Sequence, residues 1–298
     1  PSESLSALIR GDGGPLTLVM REIRTPRAIL AILIGASLGL AGAAMQGYLR
    51  NPLAEPGLIG VSGSAAFGAV LAIHTGLAAS FALALPLAAL VGALGAVALV
   101  MALAGPRGTA RTLILAGIAV SALAGAFTSL VLNLSPNPFA ANESVFWMMG
   151  SLADRSMNHV WLALPFMLVG TFLLARLGRG LDARTLGEDA AQAMGIDLHR
   201  LRLMLIIGTA CVVGSGTAVA GAIGFVGLVV PHILRPFVGA QPSRLLWASA
   251  LGGAIMVLAA DIAVREILPA RDLKLGELPA LVGAPLLLHQ ILQLRQER

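Results

Sequence analysis

The 298-residue chain is 57% hydrophobic and only 12% charged, with a formal net charge of +5. A soluble domain carries about 25% charged residues, and apolar runs here approach the roughly 20 residues that cross a bilayer, so a soluble globular fold is excluded. The single Cys211 excludes an intrachain disulfide, and basic residues confined to loops beside apolar runs point away from nucleic acid.

Nine spans are predicted, over 28–48, 57–74, 80–104, 112–134, 159–177, 201–219, 222–238, 245–264 and 278–295. The fold class is all-α and polytopic, with 1–298 forming one transmembrane domain. Residues 1–27 read as an outer-side segment, and the opening at Pro1 without Met reads as a trimmed start. Arg24 to Arg27 reads R-T-P-R at the mouth of the first span. Interfacial anchoring is one reading. The other is a stiff positive knob for an acidic partner, because Pro26 fixes the backbone between two guanidinium groups. Gly35-x-x-x-Gly39 in the first span suits close helix packing.

Arg50 to Gly60, R-N-P-L-A-E-P-G-L-I-G, joins the first two spans and is too rich in Pro and Gly for a continuous helix. It reads as a tight connector or as a stiff gate at a pore end. The span 112–134 places Ser121, Thr128, Ser129 and Asn133 among apolar residues. After the fifth span comes a polar island, Gly178 to Arg202. Within it Leu186, Ala190, Ala193 and Met194 recur at 3–4 spacing, with Glu188, Asp189 and Gln192 on the other side. This predicts a short amphipathic helix capped by Gly195, followed by a second helix running into the next span. Such a helix lies flat on a membrane or fills a groove on a partner.

The span 222–238 is short and carries Pro231, as expected of a broken span lining a cavity. His232 beside it reads as a helix-end residue or a contact for a metal chelate. Arg265 follows Asp261 by four residues, which puts both on one helix face. Asp261 either neutralises Arg265 or holds it outward for docking.

Loops on one side hold 12 of the 20 basic residues and those on the other hold 8. The richer side is read as cytoplasmic, which puts the island and the C-terminus inside. A faint internal echo, L-A-G-A at 40–43 and V-A-G-A at 219–222, suggests an inverted repeat. The only lysine, Lys274, stands in D-L-K-L-G, which does not fit a phosphate-binding loop. The five histidines are scattered, and neither metal-ligand spacing nor a catalytic constellation occurs. The chain is therefore not expected to be an enzyme or to bind a cofactor or metal of its own.

R-x-P-R, M-Q-x-x-x-R-N-P-L-A-E-P-G-L-I-G, the L-G-E-x-A start of the island, G-x-I-G-F-V-G-L-V-V-P-H-I-x-R and L-x-G-A-P together resemble the signatures of one family. It is the FecCD-type permeases, subunits of ABC importers for ferric siderophores, haem and cobalamin. The motifs reach from Arg24 to Leu292. The resemblance implies a homodimer with ten spans per copy in the bacterial inner membrane, bound to two ATPase subunits that carry ATP and Mg and to a periplasmic binding protein. It implies ATPase contact through Leu186, Gly187, Glu188, Ala190, Ala191, Met194 and Gly195. Docking of the binding protein falls to Arg24, Arg27 and Arg265, and the cytoplasmic gate to Asn51, Pro52 and Leu53. The path runs at the dimer axis, largely along the span 112–134. Ten spans with both ends inside would require one helix before Pro1.

The leading reading is a permease for a metal chelate, haem or a ferric siderophore before cobalamin. The alternative is an ion-coupled secondary transporter, which needs ionisable groups inside the spans. Only Glu55 and Asp261 stand near that position.

Overall fold

The computed structural model describes residues 14–105, 108–267 and 274–285. These residues form helices α1 Pro15–Leu49, α2 Val61–His74, α3 Ala84–Ala104, α4 Ala110–Asn133, α5 Pro138–Met148 and α6 Met157–Ala175. They continue with α7 Gly178–Arg184, α8 Glu188–Ala193, α9 Leu198–Ala220, α10 Val226–Leu234 and α11 Pro242–Ile267. The backbone is helical again over 277–285, and no strand occurs among the described residues. The remainder of the predicted span 278–295, the C-terminus and residues 1–13 lie outside the described residues.

Among the described residues, six helices (α1, α3, α4, α6, α9 and α11) are long and apolar enough to cross a membrane. Two of the predicted spans are short and begin with an interruption, as expected for 222–238 but not for 57–74. The span predicted at 57–74 is a 3₁₀ turn, Pro56–Ile59, followed by the 14-residue α2. The span predicted at 222–238 is a non-helical stretch, the nine-residue α10 and a further 3₁₀ turn at Arg235–Val238. Hydropathy alone missed α5. Its Asn142, Glu143 and Ser144 interrupt any long apolar run, while Asn137 caps it by accepting the Phe139 N–H at 3.0 Å.

Helix α1 begins well before the predicted residue 28. Pro15 supplies a preset first turn. Pro26 brings no N–H for the preceding turn, and the backbone there widens into a π-helical stretch, Val19–Arg24. The Thr25 hydroxyl donates to the Met20 carbonyl at 2.7 Å across that stretch.

Lipid is as apolar as leucine, so close packing must hold such a bundle together. Helix α1 is its axis. Gly35 faces the Gly253 backbone and Gly39 the Ser249 backbone on α11, while Gly42 meets Gly227 on α10. A Cβ on any of the three would overlap a carbonyl oxygen. The Gly35-x-x-x-Gly39 pattern thus continues for one more turn, to Gly42.

The two interrupted elements meet inside the bundle. Arg50 takes a left-handed backbone (φ 51°) after α1, and Gly221 takes a positive φ of 75° with an extended ψ, open mainly to glycine, after α9. Each long helix then gives way to irregular chain and a short apolar helix. The Arg50–Gly60 stretch does not stay at the surface. Ala54 and Ile59 are buried, and the Leu58–Ile59 backbone presses on Gly117. Gly117 lies seven residues into α4, about 10 Å along its axis. Replacing Gly42 by Val should lower stability by about 1–3 kcal/mol, read as a lower thermal midpoint of the purified chain in detergent.

Candidate functional site

The island is built of α7 and α8 at one end of the bundle. Gly187 (φ 113°) divides them and Gly195 (φ 81°) ends α8. The single amphipathic helix expected from Leu186 onward is therefore shorter, because Gly187 breaks it. Leu186 precedes α8 and Met194 follows it, and they are 71% and 62% exposed. Ala193 is also exposed, Ala190 is half-buried, and Ala191 is the residue packed inward. The apolar residues expected on one face thus point away from the bundle at both ends of α8.

Side chains tie this island to α1 and α11, and hold the start of α9 against the α3–α4 connection. Arg184 is buried, lies 4.1 Å over the Tyr48 ring at the end of α1, and donates to Glu188 Oε1 at 2.6 Å. Asp182 accepts the Ser243 N–H at 2.9 Å and Gln241 Nε2 at 3.0 Å, so it caps α11 from another element. Buried Arg202 donates to the carbonyls of Gly105 and Gly108, holding the α3–α4 connection. Asp197 caps α9, accepting the N–H groups of Arg200 at 3.0 Å and His199 at 2.9 Å. These two bonds, that from Arg200 first, hold the carboxyl below its ordinary range. The stability this cap adds is fully present above the ordinary carboxylate range and is lost as pH falls through the lowered pKa of the folded chain.

The Asn51–Leu53 turn sits beside the island. Asn51 Oδ1 accepts the Leu53 N–H at 2.9 Å, and the Asn51 carbonyl accepts the Ala54 N–H at 3.1 Å. Asn51 and Pro52 line a cavity of about 230 Å³ together with Thr185 of the island, Gln46 and Arg235. All three turn residues are exposed.

Above the turn lies a polar knot that the sequence did not announce. Pro231 has no N–H to offer the Gly227 carbonyl one turn earlier. Buried Gln46 supplies the missing donor, its Nε2 standing 3.3 Å from the Gly227 oxygen and 3.2 Å from that of Leu228. Its Oε1 accepts Arg235 at 2.7 Å. Glu55 Oε1 accepts the Phe225 N–H at 2.7 Å, just before α10. Phe225 is left-handed (φ 65°), so this bond also holds a backbone that a non-glycine residue seldom adopts.

At the opposite end of the bundle, Arg27 and Arg265 come together on one carboxylate. Asp261 is 1% exposed. Arg27 Nε stands 2.7 Å from one of its oxygens and Arg265 Nε 3.5 Å from the other. The i,i+4 pairing was legible, but the tie to Arg27, 234 residues away, was not. Arg24 is exposed at the end of the π-helical stretch.

On α4 the four polar residues divide. Thr128 is buried and its hydroxyl donates to the Ala124 carbonyl at 2.8 Å. Ser121 is half-buried, whereas Ser129 and Asn133 are exposed, with Asn133 Nδ2 donating to the Ser129 carbonyl at 3.0 Å. Ser121, Ser129 and Asn133 share a stripe with Gly125 on the helix surface. No group of three or more His, Cys, Asp or Glu able to hold a metal occurs among the described residues. Changing Gln46 to Leu would strand the Gly227 carbonyl and the Arg235 guanidinium. The expected cost is about 1–3 kcal/mol, read as a shift in the denaturation midpoint.

Comparison with known proteins is consistent across families, relatives and structures. A model of the FecCD transport family matches residues 1–293. The chain is 38% identical to the cobalamin import system permease protein BtuC of Halobacterium salinarum, covering 91% of this chain and 73% of that one. It is 35% identical to the hemin transport system permease protein HmuU of Yersinia pestis, covering 93% and 84%. A solved metal-chelate type ABC transporter in an inward-facing conformation superposes with a TM-score of 0.86 at 33% identity, covering 93% of this chain and 88% of that one.

Proposed function

The chain belongs to the FecCD transport family, and on that premise we propose that it is the permease subunit of an ATP-driven importer of metal chelates in the bacterial inner membrane. The observation that carries this reading is the island. It presents Leu186 and Met194 outward at the two ends of α8, beside an α7 tied to α1 and α11, in a chain whose sequence has no phosphate-binding loop. A partner that hydrolyses ATP would seat on that surface from the cytoplasm, and the island end of the bundle is the cytoplasmic one in this reading. Two copies of the chain would pair, each with one ATPase carrying ATP and Mg.

The cargo is drawn from metal tetrapyrroles. The relatives named for a cargo are import permeases for cobalamin and hemin, which supports a corrinoid or haem, whereas the sequence reading put haem or a ferric siderophore before cobalamin. The Asn51–Leu53 turn serves as the gate on the island side. Arg24, Arg27 and Arg265 face the binding protein at the other end. The ion-coupled alternative loses its support, because Glu55 and Asp261 are both held by partners inside the chain.

The test is reconstitution with the ATPase and a panel of binding proteins. Binding protein loaded with cobalamin or with haem should stimulate ATP hydrolysis, whereas stimulation by neither would refute the cargo class. Leu186→Asp together with Met194→Asp should abolish co-purification of the ATPase, and an intact complex would remove α8 as its contact. Reversing Arg24 to Glu should weaken capture of the binding protein in a salt-dependent way. Arg24 is the cleaner choice, since Arg27→Glu would also press a second carboxylate against Asp261.

A further inference from the structure

Helix α8 is joined to its neighbours by two open joints. Gly187 and Gly195 both take positive φ, and at neither would a Cβ meet anything within 4 Å. Glycine at both joints lets the direction of α8 change at little steric cost once the short turn bonds there open, from the Gly187 N–H to the Arg184 carbonyl at 3.1 Å and from the Gly195 N–H to the Gln192 carbonyl at 2.9 Å. Two contacts set it. Ala191 is buried without residual exposure, and Glu188 in the first turn binds Arg184 at 2.6 Å.

Arg184 does more than neutralise Glu188. Its guanidinium lies 4.1 Å over the ring of Tyr48, which is 3% exposed and is the penultimate residue of α1. The Asn51–Leu53 turn begins three residues later. One planar cation thus lies against a carboxylate on α8, itself open to solvent, and against an aromatic face at the end of α1 that is shielded from water. A lysine could hold the carboxylate but not stack on the ring in the same way.

We infer that Arg184 is a positioning residue that makes α8 and the end of α1 one lever, so that a displacement imposed on α8 reaches the Asn51–Leu53 turn. The inference rests on the proposed contact between α8 and an ATPase. Without Arg184, motion of α8 would be spent at the two glycine joints. Arg184 touches neither cargo nor nucleotide in this scheme and acts only through Glu188 and Tyr48.

The test uses the full complex with ATPase and binding protein in proteoliposomes. Arg184→Met should leave the ATPase bound and hydrolysing, while cargo taken up per ATP falls by about fivefold or more, the lower bound of typical coupling effects. Tyr48→Leu should do the same, and Tyr48→Phe, which keeps the ring face, should behave as the unmodified chain. Spin labels placed at Ala193 and at Leu53, with Cys211 replaced by Ser, report the lever itself. On ATP binding both should move in the unmodified chain, and only the label at 193 in Arg184→Met. Should Arg184→Met not assemble, the two Tyr48 variants carry the same comparison. An unchanged uptake per ATP in Tyr48→Leu, or two labels that still move together without the arginine, overturns the lever while leaving the ATPase contact standing. Loss of the ATPase from a complex made with the unmodified chain overturns the contact and the lever with it.

Discussion

Inside a bilayer a backbone carbonyl without a donor has no water to turn to, and each such group costs several kcal/mol. This chain breaks two of its helical elements in the middle of the bundle, so the whole arrangement depends on where replacement donors and acceptors come from. Gln46 and Glu55 supply them. Gln46 satisfies the carbonyls of Gly227 and Leu228 around Pro231, and Glu55 accepts the N–H of Phe225. Gln46 can reach only because Gly42, one turn away, lets α1 touch the α10 backbone. The glycine, the glutamine and the proline are therefore one structural requirement written at three places. Through Arg235, the same amide also reaches the cavity under the Asn51–Leu53 turn.

The island follows a related logic with opposite charge. Arg184 and Arg202 are both buried at the edge of the bundle, where an unpaired cation would be costly. Each is surrounded by acceptors or an aromatic face drawn from a different helix. An island that looks in sequence like a solvated loop is thus a pinned platform, and its exposed apolar residues are held up by the platform.

The long spans were legible because continuous apolar runs have few other uses. The broken span at Pro231 was legible because proline removes a donor wherever it stands in a helix. Helix α5 was not, since a short helix at a membrane surface needs no unbroken apolar run. The polar character of the island was plain from Gly178 to Arg202, but its division at Gly187 was not, because a glycine announces flexibility without stating its φ. Local spacing found the Asp261–Arg265 pair. Arg27 belongs to the same cluster through tertiary packing alone, and nothing near Arg27 in sequence names a partner 234 residues on. The docking, gate and ATPase-contact residues were assigned by family resemblance, and geometry adds what each of them touches within the chain.

Helix α4 carries the argument about the path one step further. Its buried stripe, Leu113, Ala116, Gly117, Val120, Ala124 and Thr128, packs into the bundle. Beyond it the surface divides into two kinds. Leu123, Phe127 and Leu130 are exposed and bulky, which suits hydrocarbon. Ser121, Gly125, Ser129 and Asn133 follow one another at intervals of four, small or polar and at most half-buried. The Asn133 amide is partly satisfied within the helix by the Ser129 carbonyl, but a stripe of small and polar side chains is a poor face for hydrocarbon. It calls instead for water or for another protein surface. The pairing of two copies proposed above would set such a surface against this stripe of small and polar residues.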